Sequence, residues 1–85
     1  MKVYIPTQLR SYTQTAEVQA SGQTLGELLR DLDRQFPGIR FRMVNEQDGI
    51  REHIKVFVNQ ETAEDLAYHL QPGDVVRIIG ALSGG

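Results

Sequence analysis

Apolar residues along the chain come in short groups separated by polar or glycine-containing stretches. Val3-Tyr4-Ile5 is a first group, stopped by Pro6, and its β-branched and aromatic residues predict a strand with an edge or exit at the proline. Residues 13–20 alternate, with Ala16, Val18 and Ala20 on one face and Thr15, Glu17 and Gln19 on the other. That period of two predicts a half-buried strand, joined to the first by a polar turn over residues 7–12 and broken by Ser21-Gly22. The period then changes to that of a helix. Leu25, Leu28, Leu29, Leu32 and Phe36 form one apolar stripe, with Arg30, Asp31, Asp33 and Arg34 on the remaining surface. Thr24 followed by Glu27 is a capping box at its start, and Pro37-Gly38 ends it.

The second half is more broken. Ile39, Phe41, Met43 and Val44 suggest an irregular strand or loop. Asn45 to Gly49 reads as a polar turn, with Asp48-Gly49 a favourable hairpin dipeptide. Ile54 to Asn59 alternates as a strand with Ile54, Val56 and Val58 on one face. Residues 60–70, with Leu66 and Leu70, suggest a short helical turn, and Pro72-Gly73-Asp74 a tight turn. Val75 to Ile79 is a last strand, apolar enough to lie centrally in a sheet. A hairpin, one long helix that crosses over, and further strands fit an α+β domain with a mixed sheet and the helix packed on one face. That is the β-grasp arrangement. Its expected core is Val3, Ile5, Ala16, Val18, Leu25, Leu28, Leu29, Leu32, Val56, Val58, Val76 and Ile78.

Length and composition narrow the function. Eighty-five residues make one domain with a small core. A net charge of −2, from 9 basic and 11 acidic side chains, argues against a polyanion binder, so no nucleic-acid partner is expected. No apolar run approaches the ~18 residues of a membrane span, and Met1 to Pro6 contains no apolar signal core. The expectation is a cytoplasmic protein without a membrane partner. The absence of cysteine excludes a disulfide framework, a thiolate metal site and a cysteine nucleophile within these residues.

The segments that remain carry a specific resemblance. The capped helix start Thr24-Leu25-Gly26-Glu27-Leu28-Leu29, the strand Val56-Phe57-Val58-Asn59, and Pro72-Gly73-Asp74-Val75-Val76-Arg77-Ile78-Ile79 running on to Ala81-Leu82-Ser83-Gly84-Gly85 resemble the ubiquitin-like sulfur carriers of the MoaD and ThiS type. They look closest to the carriers of molybdopterin and cysteine synthesis. A terminal glycine pair alone is weak, because glycine makes up about 7% of residues in an average protein. The turn, strand and small-residue linker before the pair make the pattern far more specific. The resemblance implies a domain over residues 1–80 and a flexible tail over 81–85. A partner enzyme would use ATP to adenylate the Gly85 carboxylate, and a sulfur donor would convert it to a thiocarboxylate. Ala81, Leu82, Ser83 and Gly84 would thread the partner's active site, where glycine suits a narrow channel because it has no side chain. The chain would bind no cofactor itself and would not be an enzyme. Its partners would be a ubiquitin-activating-type adenylating enzyme, a sulfurtransferase or other sulfur donor, and a sulfur-accepting synthase.

A docking surface follows from the strand alternation. With Val56, Val58, Val76 and Ile78 inward, Phe57 and Ile79 form an outward apolar patch framed by Lys55 and Arg77. The resemblance implies that this face meets the activating enzyme. Other candidates are weaker. His53, and His69 with Asp65 and Glu61, lack the converging ligands and the spacing of a metal site, so no metal is expected. Ser83 has no acid–base partner placed by spacing. Arg40, Arg42 and Arg51 read as ordinary loop charge. Two other functions fit the same residues: a ubiquitin-like modifier joined to lysines through Gly85, and a non-covalent β-grasp interaction module.

Overall fold

A computed structural model of the chain describes residues 1–80. The sheet has five strands, β1 (Lys2–Tyr4), β2 (Glu17–Gln19), β3 (Ile54–Val58), β4 (Glu61–Ala63) and β5 (Val75–Gly80), in the order β2-β1-β5-β3-β4. Its β1–β5 pair is parallel and its other pairs are antiparallel, which makes the sheet mixed. The helices are α1 (Arg10–Thr13), α2 (Leu25–Gln35) and α3 (Ile39–Met43). The β-grasp expectation therefore holds, and β5 is the central strand.

Helix α2 forms where its pattern predicts. The Thr24 Oγ1 accepts from the Glu27 backbone N–H at 3.2 Å. The Glu27 carboxylate reaches back to the Gln23 N–H at 2.9 Å, one residue before the cap, so two helix-end donors are satisfied. Leu25, Leu28, Leu29 and Leu32 lie wholly buried against Val3, Val56, Val76 and Ile78. Each such burial is worth roughly 2 kcal/mol. Phe36 closes the stripe half-buried at its end.

Several connections differ from the sequence reading. The expected polar turn over 7–12 is a 3₁₀ turn, Thr7–Leu9, running into α1, and it buries Leu9 and Thr13. Because α1 extends to Thr13, β2 starts only at Glu17, and Ala16 is exposed rather than in the core. Thr13 and Thr15 bond to each other there: the Thr13 hydroxyl donates to the Thr15 carbonyl at 2.7 Å, which bends the chain before β2. Residues 39–43 form α3 instead of a strand or loop. Ile39 and Met43, four apart, share its buried face, and Val44 follows them into the core.

Residues 60–70 hold no helical turn. Asn59, at φ 57°, turns the chain back so that β4 pairs with β3, and residues 64–70 wind irregularly past the start of α2. There the Leu25 and Gly26 N–H groups donate to the Tyr68 and Leu66 carbonyls, both at 2.9 Å. The Asn45–Gly49 turn forms as expected, its Asn45 Oδ1 accepting from Gln47 and Gly49 N–H.

Candidate docking face and carboxyl-terminal tail

The position of β5 is set by the turn before it. Gly73 takes a φ of 92°, open to glycine at little cost. Asp74 then closes the turn, its carboxylate accepting from the Gln71 N–H at 2.8 Å and from the Asn59 side-chain amide at 3.0 Å. The Asn59 Oδ1 in turn accepts from the Val75 N–H at 3.0 Å. These bonds tie the β3–β4 turn to the first residue of β5. They also hold the Asp74 carboxyl below its ordinary range, through the backbone bond from Gln71 first and the Asn59 amide second.

One face of the sheet is covered by α2 and α3. The opposite face displays a row of side chains across all five strands: Glu17, Tyr4, Arg77, Phe57 and Thr62, matched by register. Lys55 and Ile79 face each other in the next row. Ile79 is 47% exposed and Phe57 half-buried, with Arg77 and Lys55 exposed around them. The structure thus brings together the four residues singled out from alternation. Tyr4 was missed. Its ring lies 4.8 Å from the Arg77 guanidinium, a cation–π contact that orients Arg77 across the patch. The signal was in the sequence: with Val3 and Ile5 inward, Tyr4 must point outward. Beyond Tyr4, an open groove of about 550 Å³ runs between Pro6, Gln8, Arg10, Ile79 and Gly80, where the described chain ends.

The expectations for Ala81, Leu82, Ser83, Gly84 and Gly85, including the tail boundary at 81, lie outside the described residues. The remaining candidates resolve into local structure. Asp65 and His69 share no helical face, since the segment is not helical. The Tyr68 hydroxyl donates to Glu61 at 2.7 Å, and this bond to the carboxylate raises the Tyr68 pKa. Asp65 accepts from the Ala67 N–H. Among the described residues no cluster of His, Asp and Glu is placed to hold a metal ion. Arg40 pairs with Asp48 at 3.1 Å, and Arg51 stacks 4.7 Å over the Phe41 ring while its Nε donates to the Phe41 carbonyl. These arginines brace the α3 region.

A central strand in a five-stranded mixed sheet, one face covered by a long helix, and a glycine pair beyond that strand define a ubiquitin-like β-grasp protein. The chain belongs to the ThiS family, whose model matches residues 3–85. The resemblance to the ubiquitin-like sulfur carriers is borne out by this match. The sulfur carrier protein CysO of Mycobacterium tuberculosis is 36% identical over 89 aligned positions, covering 98% of this chain and 96% of that one. A crystal structure of the BexX/CysO complex of Amycolatopsis orientalis matches with a TM-score of 0.90 at 34% identity, over 99% of this chain and 98% of that one. SAMP1 of Haloferax volcanii matches with a TM-score of 0.79 at 25% identity, over 100% of this chain and 98% of that one.

Proposed function

We propose that this protein is a sulfur carrier, and that Gly85 is the residue that carries. The observation behind this reading is the 36% identity to a named sulfur carrier along nearly the whole of both chains. The chain is a carrier, and the chemistry is supplied by partners. An adenylating enzyme joins the Gly85 carboxylate to AMP and releases pyrophosphate. Hydrosulfide then attacks the acyl carbon, or the persulfide of a sulfurtransferase does so and a thiol reduces the resulting acyl disulfide. A C–S bond forms and AMP leaves; the thiocarboxylate sulfur then attacks an electrophilic substrate held by a synthase, and water cleaves the acyl–sulfur bond to restore the Gly85 carboxylate. The mixed-anhydride step is required because a free carboxylate is a poor electrophile.

Cysteine biosynthesis is the pathway this reading favours over molybdopterin synthesis, from the likeness to CysO proteins. We place the protein in the cytoplasm as part of the carrier reading. ATP is used by the partner and not held by this chain. The adenylating enzyme docks on Phe57, Ile79, Arg77 and Lys55, an apolar centre with a cationic rim. Five fully extended residues span at most about 18 Å, so Ala81 to Gly84 thread the active site while the domain stays outside. The Amycolatopsis relative, crystallised in complex with BexX, gives a precedent for a protein partner.

The test is ATP–pyrophosphate exchange by the host's adenylating enzyme. Wild-type chain supports exchange, and chain lacking Gly85 does not. Equal exchange by both contradicts Gly85 as the reacting residue. A second reading, conjugation of Gly85 to lysines of other proteins, draws on the likeness to the small archaeal modifier protein SAMP1. It predicts isopeptide conjugates in host extracts.

A further inference from the structure

Strand β5 outruns its neighbour. The parallel pairing with β1 covers Val75 to Arg77 and stops, because Pro6 and the 3₁₀ turn take the chain away after Tyr4. On the other side β3 continues to pair as far as Gly80, opposite Ile54. The last residues of β5 are thus supported by a strand on one side only. On the open side a side chain takes the place of the missing strand. The Gln8 Nε2 donates to the Gly80 carbonyl at 3.0 Å, across 72 positions of sequence.

Gln8 is itself held in place. It sits in the 3₁₀ turn between Pro6 and the buried Leu9, whose N–H donates to the Pro6 carbonyl at 2.9 Å. The Arg10 Nε donates to the Ile5 carbonyl at 3.0 Å and ties the following residue back to the end of β1. The fit at Gly80 is close. A Cβ there would stand 3.0 Å from the Gln8 Oε1 and 3.1 Å from its Cδ, tighter than ordinary contacts. A larger residue at 80 would push the Gln8 amide back by a few tenths of an ångström and lengthen its bond to the carbonyl.

We propose that Gln8 is a positioning residue for the reaction at Gly85: its amide clasps Gly80 and fixes the end of β5, five residues before the reacting carboxylate. This rests on the sulfur-carrier reading. Without the clasp Gly80 is released on its open side, while Ile79 stays paired to Lys55. The docking face is untouched, so the enzyme still binds. What changes is delivery of the carboxylate, and misplacement by about 1 Å costs up to roughly a hundredfold in rate.

The full-length chain and the host's adenylating enzyme test this by ATP–pyrophosphate exchange. Gln8→Met keeps the side chain's length and removes the donor. It is expected to lower kcat by about tenfold or more with KM unchanged. The melting midpoint should stay near wild type, since one exposed hydrogen bond contributes little to global stability. The carbonyl-carbon resonance of Gly80, which accepts the bond, should shift. Gln8→Lys restores a donor at similar reach and should recover kcat. Gly80→Ala should reproduce the defect, and its combination with Gln8→Met should be no worse than either alone. Wild-type kcat in the Gln8→Met variant, or an unchanged Gly80 carbonyl resonance, overturns the proposal while leaving the carrier reading intact. A wild-type chain that the enzyme does not adenylate overturns both.

Discussion

At the scale of single residues, the ends of β5 depend on a few polar side chains. Asp74 closes the turn before it with bonds from Gln71 and Asn59 that favour the ionised carboxylate. Because these bonds lower its folded-state pKa, Asp74 adds stability above its ordinary value of 3.8. That contribution is lost as the pH falls from there through the lowered folded value. Asp74→Asn should therefore be less stable than wild type at neutral pH, and thermal melts should show the difference shrinking on acidification. A difference that does not change with pH would contradict this account. Beyond β5, Gly84→Ala should leave the melting midpoint unchanged while impairing adenylation, because a Cβ enters the stretch proposed to thread the partner. A normal adenylation rate with that variant would remove the threading role.

At the scale of elements, helix α2 supplies the core packing, and the outward rows of β1, β3 and β5 form the face proposed for docking. Thr24→Ala removes the acceptor for the Glu27 N–H and should cost about 1 kcal/mol in urea unfolding. Phe57→Asp changes only the open face, so unfolding should be little affected while affinity for the adenylating enzyme falls at least about tenfold. Unchanged affinity would remove Phe57 from the docking surface. Both elements were legible in the sequence for the same reason: their hydrophobic period is regular over enough residues to fix which side faces the core. The missed elements are short. Leu9 is the sole buried apolar side chain between Pro6 and Thr13, too little to reveal a helical turn. Ile39 and Met43 carry helical spacing, but β-favouring neighbours such as Phe41 and Val44 mask it. Strand β4 is Glu61-Thr62-Ala63, with no apolar run of its own, and exists through pairing to β3. Ala16 was misplaced because alternation does not say where a strand begins.

At the scale of the whole molecule, a single small core supports everything else. Leu29 is fully buried in it, and Leu29→Ala should cost roughly 2–5 kcal/mol, a large part of the ~5–15 kcal/mol that holds a domain folded. The outward patch proposed for docking was legible from alternation because strand parity fixes it, except for Tyr4, whose outward parity was there to be read. The clasp at Gly80 was not legible, since it joins residues 72 positions apart through a side chain. The absence of cysteine fits a carrier whose sulfur rides on its own carboxylate. That is the central claim, and the intact mass of the protein purified from its host tests it most directly. The account predicts a fraction heavier by the exchange of one oxygen for sulfur, with fragmentation placing the change at Gly85. Protein carrying sulfur at another residue, or none under conditions where the adenylating enzyme and a sulfur donor are active, would contradict it.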